Sequence, residues 1–196
     1  MTAKFSIFAH VFYFLSKNKI QKKWETLFGN PTFKILYRTV VKKNKRIMLQ
    51  NKIDIIKKTF EESIPMHKFL GMKVVLLEKN FVRIEVPFKE EFVGDFRKNR
   101  WHGGVIATVM DSVGGIIGAM HFTSIEDKIS TIDLRVDYLR GAKPEGIIVE
   151  GKMIRLGNRI LVARMKAFQK EKLIAEGKGV YNFVRMKSTS NETEKN

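Results

Sequence analysis

Residues 102–121 read HGGVIATVMDSVGGIIGAMH, with one acid, Asp111, and no lysine or arginine. A run of this length and polarity predicts a helix buried nearly all round. Its positions sort into two faces. Ala107, Asp111, Gly114, Gly115 and Gly118 share one face at spacings of three and four. That face is nearly free of side chains, so another backbone can come close. Val105, Val109, Val113, Ile116 and Met120 fall opposite and are the expected filling of a concave sheet. A glycine inside a helix costs about 1 kcal/mol relative to alanine. Close packing is the physical reason to keep three of them.

His102-Gly103-Gly104 opens this helix. The first N–H groups of a helix have no internal acceptor and stand at the positive end of its dipole. Glycine lets a ligand reach them without meeting a Cβ, which is the geometry of an oxyanion hole. Asp111 lies too deep to cap the helix, and an ionised carboxylate in apolar surroundings needs a partner or solvent. Gly103 and Asp111 are eight residues apart, or about 12 Å along a helix axis. One reacting carbon cannot touch both. If both act on the same carbon, Asp111 comes from a second copy of the chain, and the active site sits at a dimer interface.

The flanking sequence supplies a sheet. Residues 72–78 and 81–88 predict a hairpin turning at Lys79-Asn80, with Val82, Ile84 and Val86 alternating against Arg83 and Glu85. Residues 89–101 read as a polar loop containing Gly94-Asp95. Four strand-like runs follow the helix, at 128–139, 146–156, 159–170 and 173–185. The breakers between them are 143–146, the tight hairpin signal Gly157-Asn158, and Lys170-Glu171-Lys172. Ahead of the hairpin, residues 52–62 place Ile53, Ile56 and Phe60 at helical spacing, and Pro65 is expected to end that helix. The order predicts an α+β fold, a long central helix covered by a curved antiparallel sheet. Three regions are expected: a basic helical extension over 1–50, broken at Gly29-Asn30-Pro31, the domain proper over 51–187, and a disordered polar tail over 188–196.

Composition removes several chemistries. The chain has no cysteine, which excludes disulfides, thiolate metal sites and cysteine nucleophiles. His10, His67, His102 and His121 show no metal-ligand spacing, so no metal and no cofactor are expected. The net charge is +17, and residues 1–50 hold eleven basic residues against Glu25 alone. The apolar run Phe5 to Leu15 spans 11 residues, well short of the roughly 20 needed to cross a bilayer. Followed by lysines and Trp24, it reads as an interfacial helix meeting anionic lipid, or else as an accessory helical layer with a solvated basic face.

Four pieces of the chain carry a family resemblance: IPMHKFLGMKV (64–74), FVGDFRKNRWHGGVIATVMDSVGGIIGAM (92–120), STIDLRVDYLRGA (130–142) and GNRILVARMKAF (157–168). In this order and spacing they resemble the hotdog-fold acyl-CoA thioesterases of the phenylacetic acid degradation (PaaI-like) type. The likeness runs from about Ile64 to Val184. It implies a helix wrapped in a sheet, dimers that often pair into tetramers, and hydrolysis of acyl-CoA to free acid and CoA. It further implies that Gly103 N–H polarises the thioester carbonyl and that His102 and Gly104 shape the loop at the substrate. Asp111 of the second copy would act as nucleophile or as general base, and Thr131 would position water. The family frequently has an asparagine shortly before this histidine. Asp95 and Asn99 are the nearby candidates for that substrate contact, and an ionised aspartate cannot donate a hydrogen bond. Gly141 stands where a proline commonly follows YLR. Arg140, Lys143 and Arg159 are candidates for the CoA phosphates.

Two rival readings share the fold. One is a non-catalytic acyl-CoA-binding regulator, suggested by the basic N-terminus, although residues 1–50 show no helix-turn-helix pattern and nucleic acid is not an expected partner. The other is a hotdog hydratase or dehydratase, whose sites usually pair an aspartate with a histidine in a different loop arrangement. His121 instead reads as a C-terminal cap meeting the helix dipole, and His67 as a surface or loop-packing residue. A cytoplasmic protein, with the inner membrane face as an alternative address, is expected.

Overall fold

The structure is a computed structural model, and it describes residues 31–186. The expectations for Phe5 to Leu15 and for the tail over 188–196 lie outside those residues. Two compact units divide the chain between Leu49 and Gln50.

Helix α1, Pro31–Lys58, begins where the Gly29-Asn30-Pro31 break predicts and runs without interruption past residue 50. Proline suits this first helical position because its missing N–H has no helical acceptor to lose. Ile53 and Ile56 pack on the core of the second unit. Pro65 does not end this helix. A π-turn over Thr59–Ser63 follows Lys58, and Pro65 starts a short helix of its own, α2 at Pro65–Leu70. Gly71 closes α2 at φ 68°, donating to His67 O and Lys68 O. This is the left-handed cap that glycine adopts without strain.

The hairpin forms as predicted, with β1 at Lys73–Leu77 and β2 at Phe81–Val86. Val82, Ile84 and Val86 are buried while Glu85 is exposed, so alternation sets which face meets the core. Residues 89–101 are more ordered than a polar loop. They hold a 3-10 turn at Glu90–Phe92 and a small pair of strands, β3 at Val93–Asp95 and β4 at Arg100–Trp101. The central helix α3 is Gly103–Ala119. Strands β5 (Lys128–Tyr138), β6 (Ile147–Leu156), β7 (Ile160–Gln169) and β8 (Lys172–Val184) complete one antiparallel sheet in the order β1-β2-β6-β7-β8-β5. Lys170 and Glu171 take φ 45° and 65° in the β7–β8 turn, the conformation a two-residue hairpin demands.

This is the expected helix wrapped in a curved sheet. Val109, Met110, Val113 and Ile117 of α3 are fully buried, as are Val149, Leu161, Met165 and Phe183 of the sheet. Burying each such side chain stabilises the fold by about 1.5–3 kcal/mol. The burial is not complete all round, however. Gly104 is exposed, and Thr108, Asp111, Ser112, Gly115 and Ala119 keep partial access to solvent. The helix thus retains one half-open stripe, and Asp111 lies on it.

The two ends of α3 are tied down differently. At the C-terminus Lys52 Nζ donates to Met120 O and Phe122 O at 2.7 and 2.8 Å. The ammonium answers the negative end of the dipole. His121 is expected to cap the helix, but its ring instead lies 3.1 Å from Asn80 Oδ1, and burial lowers its pKa. Asp127 fixes the following turn. Its carboxylate accepts from Thr123 N, Thr123 Oγ1, Ser124 N and Met186 N, and those bonds hold its pKa at about 2.

Candidate active site

The entry to α3 is built by three elements. The side chain of His102 caps the helix, its Nδ1 accepting from Gly104 N–H at 3.0 Å. An accepting Nδ1 carries no proton, so a neutral ring holds its hydrogen on Nε2. The backbone of His102 donates to Phe92 O at 2.7 Å. Strand β3 comes equally close. A Cβ on Gly94 would stand 2.6 Å from His102 Cα, so only glycine fits there. From β5, Tyr138 Oη donates to Gly103 O at 2.7 Å. With Gly104 N–H engaged, Gly103 N–H is the first helical donor, and it meets no loop or side-chain acceptor among the described residues.

Asp111 sits two turns further along. Thr131 Oγ1, also from β5, donates to Asp111 Oδ1 at 2.7 Å. This leaves Oδ2 for another donor. Behind Asp111 stands Tyr181, fully buried, with its phenol 3.4 Å from Asp111 O. Burial, and secondarily the Asp111 charge, push the Tyr181 phenol far above its ordinary range. So the structure brings Asp111 together with Thr131, and His102 together with Gly103 and Gly104. The two groups stay apart on one helix, as the residue count requires.

The glycine face divides. A Cβ on Gly114 would lie 1.8 Å from Tyr181 Oη, and one on Gly118 would lie 2.1 Å from Ile129 Cδ1. Those two glycines admit side chains of the protein's own sheet, not the backbone of a second copy. Gly115 alone has nothing within 4 Å and remains on the half-open stripe.

The other candidates scatter. Asp95 Oδ1 accepts from Arg97 N–H at 3.1 Å and is spent on its own turn. Asn99 holds φ 46° at the tip of that loop. Gly141 makes room for Arg100, since a Cβ there would lie 2.6 Å from Arg100 Nη1. Arg140 Nη1 donates to Leu173 O at the start of β8, whereas Arg159 O accepts from Phe183 N at its end. Ten strand residues, about 33 Å, separate these points. Arg140 and Lys143 therefore do not join Arg159 in one phosphate site within a protomer. His67 is not on the surface. It is buried, with Nδ1 2.9 Å from Phe60 O and Nε2 3.0 Å from Ser112 Oγ, and desolvation lowers its pKa.

Sequence reasoning missed Tyr138, Tyr181 and Lys52. Tyr138 lies inside the quoted stretch 130–142, but strand alternation says nothing about which helix atom a phenol meets. The size of Tyr181 opposite a run of glycines was the one available signal for its slot.

Residues 98–175 match the family model described as Thioesterase superfamily. The chain is 31% identical over 142 residues to the medium/long-chain acyl-CoA thioesterase YigI of Escherichia coli, covering 66% of this chain and 92% of that protein. It is 30% identical over 140 residues to the putative esterase SSO2140 of Saccharolobus solfataricus, covering 71% of this chain and 97% of that one. A crystal structure from Shewanella oneidensis, described as related to the thioesterase superfamily, superposes with TM-score 0.62 at 30% identity, covering 69% of this chain and 97% of its own.

The Tyr181 slot predicts opposite results for adjacent glycines. Gly114→Ala should lose about 2–3 kcal/mol in denaturant unfolding. Gly115→Ala should change stability by less than about 1 kcal/mol, in the stabilising direction. A Gly114→Ala protein as stable as wild type contradicts the slot.

Proposed function

Because the chain belongs to the thioesterase superfamily, we propose that it hydrolyses an acyl-CoA thioester to the free acid and CoA, at a site completed by a second copy of the chain. The observation that carries this reading is the Thr131–Asp111 hydrogen bond, 2.7 Å long, on the half-open stripe of α3. It presents a carboxylate with one oxygen engaged and one available, about 12 Å from the free N–H of Gly103.

The steps follow from those groups. The thioester carbonyl oxygen accepts from Gly103 N–H, where the helix dipole adds to the pull on the developing oxyanion. Asp111 of the second copy, acting as general base through Oδ2, takes a proton from water. The hydroxide oxygen bonds to the carbonyl carbon and the tetrahedral intermediate forms. It collapses with cleavage of the C–S bond, and the CoA sulfur leaves as thiolate and takes up a proton. Thr131 holds Asp111 in place throughout.

Strand β5 offers the second copy a place. It is an end strand of the sheet, and Ser130, Thr131, Ile132 and Asp133 are exposed along it. An end strand has a row of unpaired N–H and C=O groups ready for another chain. The likeness to YigI makes medium- and long-chain acyl-CoA the substrates to assay first.

Helix α1 suits an anionic membrane surface on the cytoplasmic side. Arg38, Lys42, Lys43, Lys45 and Arg46 are exposed, and so are Val40, Val41, Ile47 and Met48. That pairing of cations with apolar side chains suits a lipid headgroup layer, at about 1 kcal/mol per cation near the surface. No helix among the described residues is long and apolar enough to cross a membrane.

Asp111→Ala should lower kcat on acyl-CoA by about 10²–10⁴-fold while the protein still binds substrate. Wild type that binds acyl-CoA of every chain length and hydrolyses none removes the enzymatic reading. The full chain should sediment with vesicles containing phosphatidylserine at low salt and be released as salt rises. Absence from the vesicle pellet at low salt removes the membrane contact.

A further inference from the structure

We propose that Tyr138 is a positioning residue that aims the Gly103 N–H at the substrate carbonyl by locking the next peptide plane. This inference rests on the thioesterase reading for its catalytic consequence, but its geometry stands by itself.

Gly103 O and Gly104 N–H belong to one planar peptide unit. Both ends of that unit are held. Tyr138 Oη donates to the oxygen at 2.7 Å, and the N–H donates to His102 Nδ1 at 3.0 Å. The neighbouring peptide unit, between His102 and Gly103, carries the free N–H. The two planes are joined only through φ and ψ of Gly103. At a glycine those angles are the least restrained of any residue. The first turn of a helix is also where it frays. Two successive glycines at the entry would therefore leave the oxyanion donor poorly aimed unless something outside the helix held it.

Tyr138 does this with its ring as well as its hydroxyl. A Cβ on Gly103 would lie 3.1 Å from Tyr138 Cζ, so the phenol already covers one side of that residue. The substrate is left the other side. A phenol of ordinary pKa near 10 is protonated, and so a donor, throughout the neutral range, and partial burial pushes the Tyr138 hydroxyl further up. The strand adds rigidity. Tyr138 ends β5 at its pairing with Ala175, and the next residue, Leu139, donates to Ile174 O at 2.9 Å. The same strand that steadies Asp111 through Thr131 thus steadies the oxyanion donor through Tyr138. In the proposed dimer these two services go to different active sites, because each site takes its oxyanion donor from one copy and its carboxylate from the other.

Tyr138→Phe tests this, since it keeps the ring and removes the hydroxyl. kcat on acyl-CoA should fall about tenfold with KM within about twofold of wild type, because only the aim of the donor changes. Hydrogen exchange at the Gly104 amide, followed by NMR, should accelerate about tenfold. Amides of the β7–β8 ladder should exchange at unchanged rates. A Tyr138→Phe enzyme with wild-type kcat overturns the proposal, as does one whose loss is confined to KM. If wild type hydrolyses no acyl-CoA, the thioesterase reading falls and the exchange measurement alone decides. An unchanged Gly104 rate in the variant then overturns the positioning role.

Discussion

The seat of Tyr181 sets how the central helix lies on its sheet. The phenol occupies space that a Cβ on Gly114 or on Gly179 would fill, at 1.8 and 2.3 Å from its oxygen. One glycine belongs to α3 and the other to β8, so the ring is the spacer between the two layers. Interiors pack too densely for such a spacing to drift. The other contacts between helix and sheet inherit it. Thr131 reaches Asp111, and Tyr138 reaches Gly103, because β5 is paired to β8 along its length and β8 carries Tyr181.

From that spacing comes the division of α3 into a buried side and a half-open stripe. The buried side supplies the stability. The stripe supplies chemistry, because a carboxylate that must stay ionised needs some solvent and a nearby donor. Asp111 has both. The helix entry is arranged for the opposite charge. His102 consumes one N–H, Tyr138 holds the adjoining carbonyl, and the N–H of Gly103 is left without a loop or side-chain acceptor among the described residues. Acid at mid-helix and oxyanion donor at the N-terminus are separated by helix rise, and no repacking within one chain can bring them to one carbon.

Much of this was legible in the residues. The apolar run 102–121, the hairpin alternation at Val82, Ile84 and Val86, and the later breakers predict the elements to within a residue or two, because periodicity reports directly on which side is buried. The helix entry at His102 was equally plain, since glycines and a polar cap are local features. Tertiary choices were not legible. Gly114 and Gly118 looked like room for a second backbone, and only the fold shows Tyr181 and Ile129 in that space. His121 looked like the helix cap, but Lys52, 68 residues from Met120 in the chain, takes that place. Arg140, Lys143 and Arg159 each read as a candidate for phosphate, and only the sheet pairing shows that Arg140 and Arg159 lie at opposite ends of β8. In each case the deciding neighbour is distant in sequence.

If one active site draws on two copies of the chain, mixing two inactive variants restores activity. Asp111→Ala removes the carboxylate. Gly103→Pro removes the oxyanion N–H while keeping a residue suited to the first helical position, after a His102 already in the extended conformation that precedes proline comfortably. Co-expressed in equal amounts, the variants form mixed dimers for half of the population, and each mixed dimer holds one intact site. Recovery of about a quarter of wild-type kcat, from two variants that are each inactive alone, is the result the shared site predicts. A mixture as inactive as its parents, with mixed dimers shown to be present, would place both groups in one chain and contradict it.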